Sequence, residues 1–309
     1  PLDVGRGLEE VVPPALAEAA ARVPGFEPGR VIGIGVDTTG STPIPVDAHM
    51  VPLAANPAFR DNLNAQAWMW KDHSGMEEAE AITDYAAEHR PEYLAKCGGT
   101  YSSEWFFSKI WHCLKVDPRV FDAAHTWIEF ADFIPAVLAG VSEPEAVRCG
   151  VCPAGHKAMY AEEWGGYPDE EFLGLLSPKM AALRARLCER AYTVDQCAGR
   201  LCPEYAEKLG LPEGIAVAVG AFDAHLGAVG AGVAEGRMVK ILGTSTCDVL
   251  VADSAQDLPD IPGVCGIVDG SVLPGMYGIE AGQSAVGDIF NWFVSHVCEG
   301  NEERNAALT

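Results

Sequence analysis

Between Gly214 and Val251 the chain reads GIAVAVGAFDAHLGAVGAGVAEGRMVKILGTSTCDVLV, a pattern that few folds accommodate. Ile215 to Val219 is an apolar run closed by Gly220. Met238 to Leu242 is a second run, and Cys247 to Val251 a third. Apolar runs of about 4–8 residues bounded by glycine read as buried strands. An acidic turn, Phe222-Asp223-Ala224-His225, follows the first run, and Gly243-Thr244-Ser245-Thr246 separates the other two. Phosphoryl transfer needs a base for the acceptor and a cradle of backbone N–H groups for the phosphates. A lone carboxylate past one strand and a glycine- and hydroxyl-rich turn between two others supply both. Each also has an ordinary reading: Asp223 can cap the Ala224–Ala231 helix, and the 243–246 turn is first of all a hairpin.

Length and charge narrow the partners. The 309 residues suffice for two domains on a prior of roughly 150 residues each. Lys and Arg number 21 against 44 Asp and Glu, a net charge of −23. Nucleic acid and anionic membrane both call for a basic surface, so neither is expected as a partner. No apolar run approaches the ~18 residues of a membrane span. The start, PLDVGRGLEE, lacks the basic and apolar regions of a secretory leader, which points to a cytoplasmic protein whose ten cysteines are mostly reduced. Cys149-Gly-Val-Cys152 is a C-x-x-C without a matching second pair, since Cys197 and Cys202 are spaced differently. Buried thiols account for it more simply than a zinc site.

The rest alternates helix and strand signals. Leu8 to Val23 has helical periodicity, complicated by Pro13 and Pro14, and Val31 to Val36 reads as a buried strand. A helix leading into a strand is the second half of an α/β unit, so the chain is expected to be a piece of a longer one. Trp68, Trp70, Lys71, Asp72 and His73 form either a packed aromatic strand end or a polyol pocket, because a tryptophan face covers sugar C–H groups. Helices are expected at Glu77–His89, Trp105–Leu114, Ala131–Leu138, Met180–Ala191 and Cys202–Leu209, and strands at 126–130, 267–268, 272–273 and 276–280. Lys157, in an expected turn, is either a solvated charge or a donor to sugar or phosphate. Glu280 either accepts from sugar hydroxyls or serves as a charge at a helix N-terminus. There is no P-loop, and Gly33-Ile34-Gly35 does not extend to G-x-G-x-x-G.

Six segments together carry a resemblance: VIGIGVDTTGSTPIPVD at 31–47, WKDH at 70–73, GGTYSSEW at 98–105, GAFDAHLGAVGAG at 220–232, LGTSTCDVLV at 242–251 and GIEAGQSAVGDIFNW at 278–292. Over nearly its whole length the chain resembles the FGGY carbohydrate kinases. The resemblance implies an α/β, two-domain ATPase fold of the actin/hexokinase (ribonuclease H-like) type, with mixed sheets flanked by helices. Residues 1–234 would be a partial sugar-binding domain and 235–309 the start of the ATP-binding domain, meeting at a hinge around Gly232 to Gly236. It further implies that Asp223 is the catalytic base, that Gly40, Trp70, Lys157, Asp223 and Glu280 bind sugar, and that Gly243, Thr244, Ser245, Gly282 and Gln283 bind ATP, with Mg²⁺ bridging the phosphates. The implied reaction is phosphorylation of a pentulose, L-ribulose before xylulose or ribitol, by a homodimer; a non-catalytic sugar-binding role is the alternative. The family's N-terminal phosphate hairpin and the later part of its second domain have no counterpart in the sequence. The 309-residue piece by itself is therefore expected to be inactive.

Overall fold

The computed structural model describes residues 2–243, 245–256, 258–283 and 285–297. The run that leads into Asp223 lies beside the 33–38 stretch. Gly33–Ile34 pairs in parallel with Ala216–Ala218, which takes Cys197–Arg200 antiparallel on its other edge. One step further along, Asp37–Thr38 pairs in parallel with Ala221–Phe222. Gly220 marks the interruption between the two short strands. A Cβ there would lie 2.0 Å from the carbonyl oxygen of Ala131, so only glycine lets helix Phe130–Leu138 press onto the strand. The 31–36 run is less buried than its composition predicts. It sits at a sheet edge, with Ile32 86% exposed and Val36 buried.

The hydrophobic bulk lies to one side of these strands. Helices Met76–His89, Phe106–Val116 and Glu170–Leu176 enclose an aromatic core that includes Tyr93, Tyr101, Trp105, Phe107 and Phe172. Each such side chain contributes about 1.5–3 kcal/mol by burial. Tyr101 and Trp105 add an edge-to-face contact at 5.1 Å. The first helix, Leu2–Arg22, continues through Pro13 and Pro14 and lays Leu8 and Val12 against Leu201, Leu209 and Val217.

On the other side stands a four-stranded antiparallel sheet in the order Val239–Leu242, Thr246–Asp253, Met276–Gln283, Gly266–Asp269. Leu242 faces Thr246 across the first pair, so these two strands pair as the expected hairpin. Helix Asp223–Gly230 packs on this sheet through Ala228, which joins Val239, Val249 and Val251. Helix Val151–Lys157 packs on strand Gly266–Asp269, and Gly155 lets it come close: a Cβ there would meet Val268 Cγ1 at 2.3 Å.

Four expectations are corrected. The 180–191 helix stops at Arg184; Ala191–Tyr192 is instead a strand parallel to Cys149–Gly150, and the chain between them turns so that Cys188 reaches Cys149. Those two sulfurs form a disulfide with Cα atoms 6.5 Å apart. The C-x-x-C is therefore not a unit, and Cys149 is not a reduced thiol; Cys152 stays free and packs with Ala221 and Phe222. Residues 272–273 form no strand, because Gly270 and Gly275, with φ of 72° and 73°, turn the chain there. Lys157 lies in a helix and is buried rather than solvated.

Candidate active site

The helical layer and the antiparallel sheet face each other across a cleft of about 520 Å³. Nine of the ten residues singled out from the sequence line it: Gly40, Trp70, Lys157, Asp223, Gly243, Ser245, Glu280, Gly282 and Gln283. The tenth, Thr244, lies outside the described residues.

Asp223 is the first residue of helix Asp223–Gly230, directly after the buried strand Ala221–Phe222. Phe222 occupies the capping position and makes no side-chain cap, so the capping reading of Asp223 gives way. Its Oδ1 instead accepts from the N–H of Ala224 at 2.7 Å. The carboxylate is exposed to the cleft, where the unpaired N–H groups of the first helical turn favour its negative charge. Gly40 passes over Phe222 so closely that a Cβ would lie 1.7 Å from the ring. Its backbone consequently reaches the cleft. Trp70 is half-buried, with Lys71 Nζ 5.4 Å from the ring centroid. Its neighbours do not form a metal set: Asp72 accepts from Ser74, and His73 contacts Ser103 and Glu104.

Opposite Asp223, a buried charge cluster forms the floor. Lys157 Nζ donates to Glu280 Oε1 at 2.7 Å and lies 5.3 Å from the Trp105 ring centroid. Glu280 belongs to strand Met276–Gln283 and is paired with Val249, which holds its side chain on the face toward helix Val151–Lys157. The other oxygen, Oε2, lies 3.3 Å from His156 Nδ1 and 3.3 Å from His225 Nε2. Burial alone would raise the Glu280 pKa, but Lys157 and then the histidines outweigh it and hold the group well below the usual carboxylate range. Burial likewise opposes the Lys157 charge, and Glu280 more than restores it.

The two histidines differ. Ser271 Oγ donates to the Val268 carbonyl, so it accepts from His156 Nε2 at 2.9 Å. That fixes the tautomer and leaves His156 Nδ1 bare toward Glu280. Burial and the neighbouring His225 keep His156 neutral. For His225 burial acts the same way, but Cys152 and Glu280 prevail and push it up to about 10. The cluster thus carries its proton on His225.

His156, His225 and Glu280 place one ligand atom each within 4.8 Å of one another. The ammonium of Lys157 and the proton of His225 already neutralise the carboxylate, and two imidazoles do not suit a hard cation such as Mg²⁺. The cleft lining also offers the carboxylates of Glu104 and Asp223; Glu104 lies 3.2 Å from His73 Nε2, which leaves the exposed Asp223 as the one better suited to an oxygen-seeking cation.

At the far end, the carbonyl of Gly243 accepts from Gly287 N at 3.1 Å, tying the hairpin to helix Gly287–His296. Gly282 stands opposite Cys247, where a Cβ would lie 3.0 Å from the Thr246 carbonyl oxygen. Gly282 and Gln283 are exposed there. The sequence reading passed over His156, His225, Trp105 and Cys265, all of which belong to the floor or the lining. The available signal was position: His225 follows Asp223 by two residues, and His156 directly precedes Lys157 between Gly155 and Ala158.

Mixed α/β layers with the cleft between them place the chain in the actin/hexokinase-like class. It superposes on xylulose kinase from Rhodospirillum rubrum with a TM-score of 0.70 at 17% identity, covering 98% of this chain and 56% of that one. Glycerol kinase from Plasmodium falciparum gives 0.68 at 13%, covering 95% and 54%. The chain belongs to the FGGY family of carbohydrate kinases: residues 238–309 match the C-terminal domain of that family. It is 47% identical over 282 residues to a ribulokinase from Vibrio parahaemolyticus, covering 90% of this chain and 50% of that protein. It is 42% identical over 269 residues to a ribulokinase from Shouchella clausii, covering 86% and 46%. The chain spans about half the length of the curated relatives it matches.

Proposed function

We propose that the complete protein transfers the γ-phosphoryl group of ATP to L-ribulose at O5, giving L-ribulose 5-phosphate. The observation that carries this reading is the pairing, across one cleft, of an exposed carboxylate at a helix start with a buried Lys157–Glu280 pair. Identity to two ribulokinases favours the pentulose over other sugars. Residues 1–234 form the sugar side and 235–309 begin the nucleotide side; Gly232 and Gly236, with φ of 79° and 74°, turn the chain at the crossing.

In this reading Gly40 and Trp70 seat the sugar, and Lys157 and Glu280 bind its hydroxyls. The Asp223 carboxylate accepts the O5 proton as O5 bonds to the γ-phosphorus and the bond to the ADP oxygen breaks. The glycine turn at 243–245, with Gly282 and Gln283, faces the phosphates. Mg²⁺ would supply charge neutralisation on the phosphates, and Asp223 is the carboxylate that would help hold it. Because water competes with sugar as acceptor, closure of the cleft serves specificity as well as rate. The reading includes a cytoplasmic homodimer, whose stoichiometry sedimentation of the complete protein checks.

Asp223→Asn removes the base and keeps the shape. Turnover is expected to fall by about 10²–10⁴-fold, with sugar affinity by calorimetry within about threefold of wild type. Wild-type turnover in this variant would sink the assignment, and a panel of ketoses and polyols in a coupled ADP assay ranks the acceptors.

A further inference from the structure

One buried cation lies outside the cleft lining and yet touches both segments that carry the sugar-facing groups. Lys109, on helix Phe106–Val116, is 0% exposed. Its Nζ donates to the carbonyl of Ser41 at 2.7 Å and to the carbonyl of Met69 at 2.7 Å. Ser41 follows Gly40, and Met69 precedes Trp70. The first segment is also held from its other side. Glu129, buried at the end of strand Thr126–Glu129, accepts from Ser41 Oγ at 2.7 Å and from the N–H of Thr42. One residue further, the N–H of Trp68 donates to the Pro43 carbonyl at 3.1 Å.

This is a costly way to fill a core position. Burial pulls the Lys109 ammonium down to about 8, with Glu129 only partly offsetting it. An apolar side chain of the same length would avoid that desolvation. What it could not do is grip two carbonyls from different segments at fixed distances. The cost is therefore matched by geometry rather than stability.

We propose that Lys109, backed by Glu129, is a positioning residue that sets the spacing between Gly40 and Trp70 and so the width of the sugar end of the cleft. It acts through the Ser41 and Met69 carbonyls and touches no substrate. The proposal rests on this end of the cleft being the sugar site. Lys109 Nζ bonds to the Ser41 and Met69 carbonyls and, among the described residues, not to Gly243 or Ser245, so the effect is confined to the sugar. Misplacement by about 1 Å is enough to cost up to 10²-fold.

The test uses the complete protein. Lys109→Met keeps the length and removes every donor. It is expected to raise the sugar KM at least tenfold while the ATP KM stays within about twofold. Ser41→Ala deletes one Glu129 contact without emptying the core, and is expected to raise the sugar KM by a few fold; it carries the test if Lys109→Met fails to fold. Hydrogen exchange supplies a readout independent of turnover: the amides of Ser41 and Thr42 and those at 68–71 are expected to exchange faster together in either variant. Equal rises in both KM values, an unchanged sugar KM, or exchange that changes at only one segment would overturn the clamp. Absence of sugar binding by the wild type would instead overturn the sugar-site reading.

Discussion

At the scale of single residues, the cluster beneath Asp223 is a set of competing electrostatic terms whose outcome is a fixed proton. Glu280 is held ionised by Lys157, and His225 is held protonated between Cys152 and Glu280. Linkage gives this a sign. The imidazole of an unfolded chain has a pKa near 6.5, and the folded His225 lies at about 10. Between those values the folded state binds one more proton than the unfolded state, so stability falls as pH rises. The contribution is complete below pH 6.5 and lost by about 10. Lys109, depressed to about 8, acts in the opposite direction above that pH, while His156, depressed below 6.5, acts only below it. The buried carboxyls of Asp132 and Glu129, raised by burial, act in the same direction as His225, so the window from 6.5 to 8 isolates His225 as the difference between the wild type and a variant that lacks it. One proton corresponds to about 1.4 kcal/mol per pH unit, so roughly 2 kcal/mol is expected to be lost across the window. Denaturant unfolding should show this slope in the wild type and a slope smaller by about one proton in His225→Gln. Identical slopes would mean that His225 is neutral in the fold.

At the scale of elements, glycines decide how close the charged groups can come. Gly155 seats helix Val151–Lys157 on Val268, and Gly266 leaves room for the His156 ring, whose Nδ1 would lie 2.0 Å from a Cβ at 266. Alanine is the better helix former by about 1 kcal/mol, yet Gly155→Ala is expected to destabilise by about 1–3 kcal/mol because the core is overpacked. It should also weaken sugar binding, since the helix carries Lys157. Val268→Ala opens the space that the new methyl group needs, so the double variant is expected to recover much of both losses. Additive losses in chemical denaturation would show that the contact does not couple the two residues. These glycines also mark the limit of what the sequence conveys. The strands at 216–218, 239–242 and 246–253 and the hairpin were legible because apolar runs and glycine boundaries are local signals. Lys157 was ambiguous and the two histidines silent because their burial depends on a strand distant in the chain, whose Glu280 lies 123 residues beyond Lys157. The 180–191 segment misled for the same reason: its local composition is helical, but its course is set by contacts of Arg186 with Thr126 and of Cys188 with Cys149.

At the scale of the whole molecule, the net charge of −23 sets a problem for any nucleotide. ATP is an anion, and the protein field repels it until it is inside the cleft. There Lys157 is committed to Glu280 at 2.7 Å, so the local cation is already paired and does little to draw phosphate in from a distance. The proposed acceptor, L-ribulose, is uncharged and does not sense the field. Salt separates the two. The Debye length shrinks from about 30 Å at 0.01 M to about 8 Å at 0.15 M, so raising the salt should screen the repulsion over the approach path but leave the contacts inside the cleft nearly unchanged. The dissociation constant of this 309-residue chain for Mg-ATP is expected to fall by a few fold between those ionic strengths, at constant free Mg²⁺, while that for the sugar stays within about 1.5-fold. A parallel change in both would point to a salt effect on the fold. A rise in the ATP constant would mean that an attractive basic surface, rather than this acidic one, meets the nucleotide on its way in.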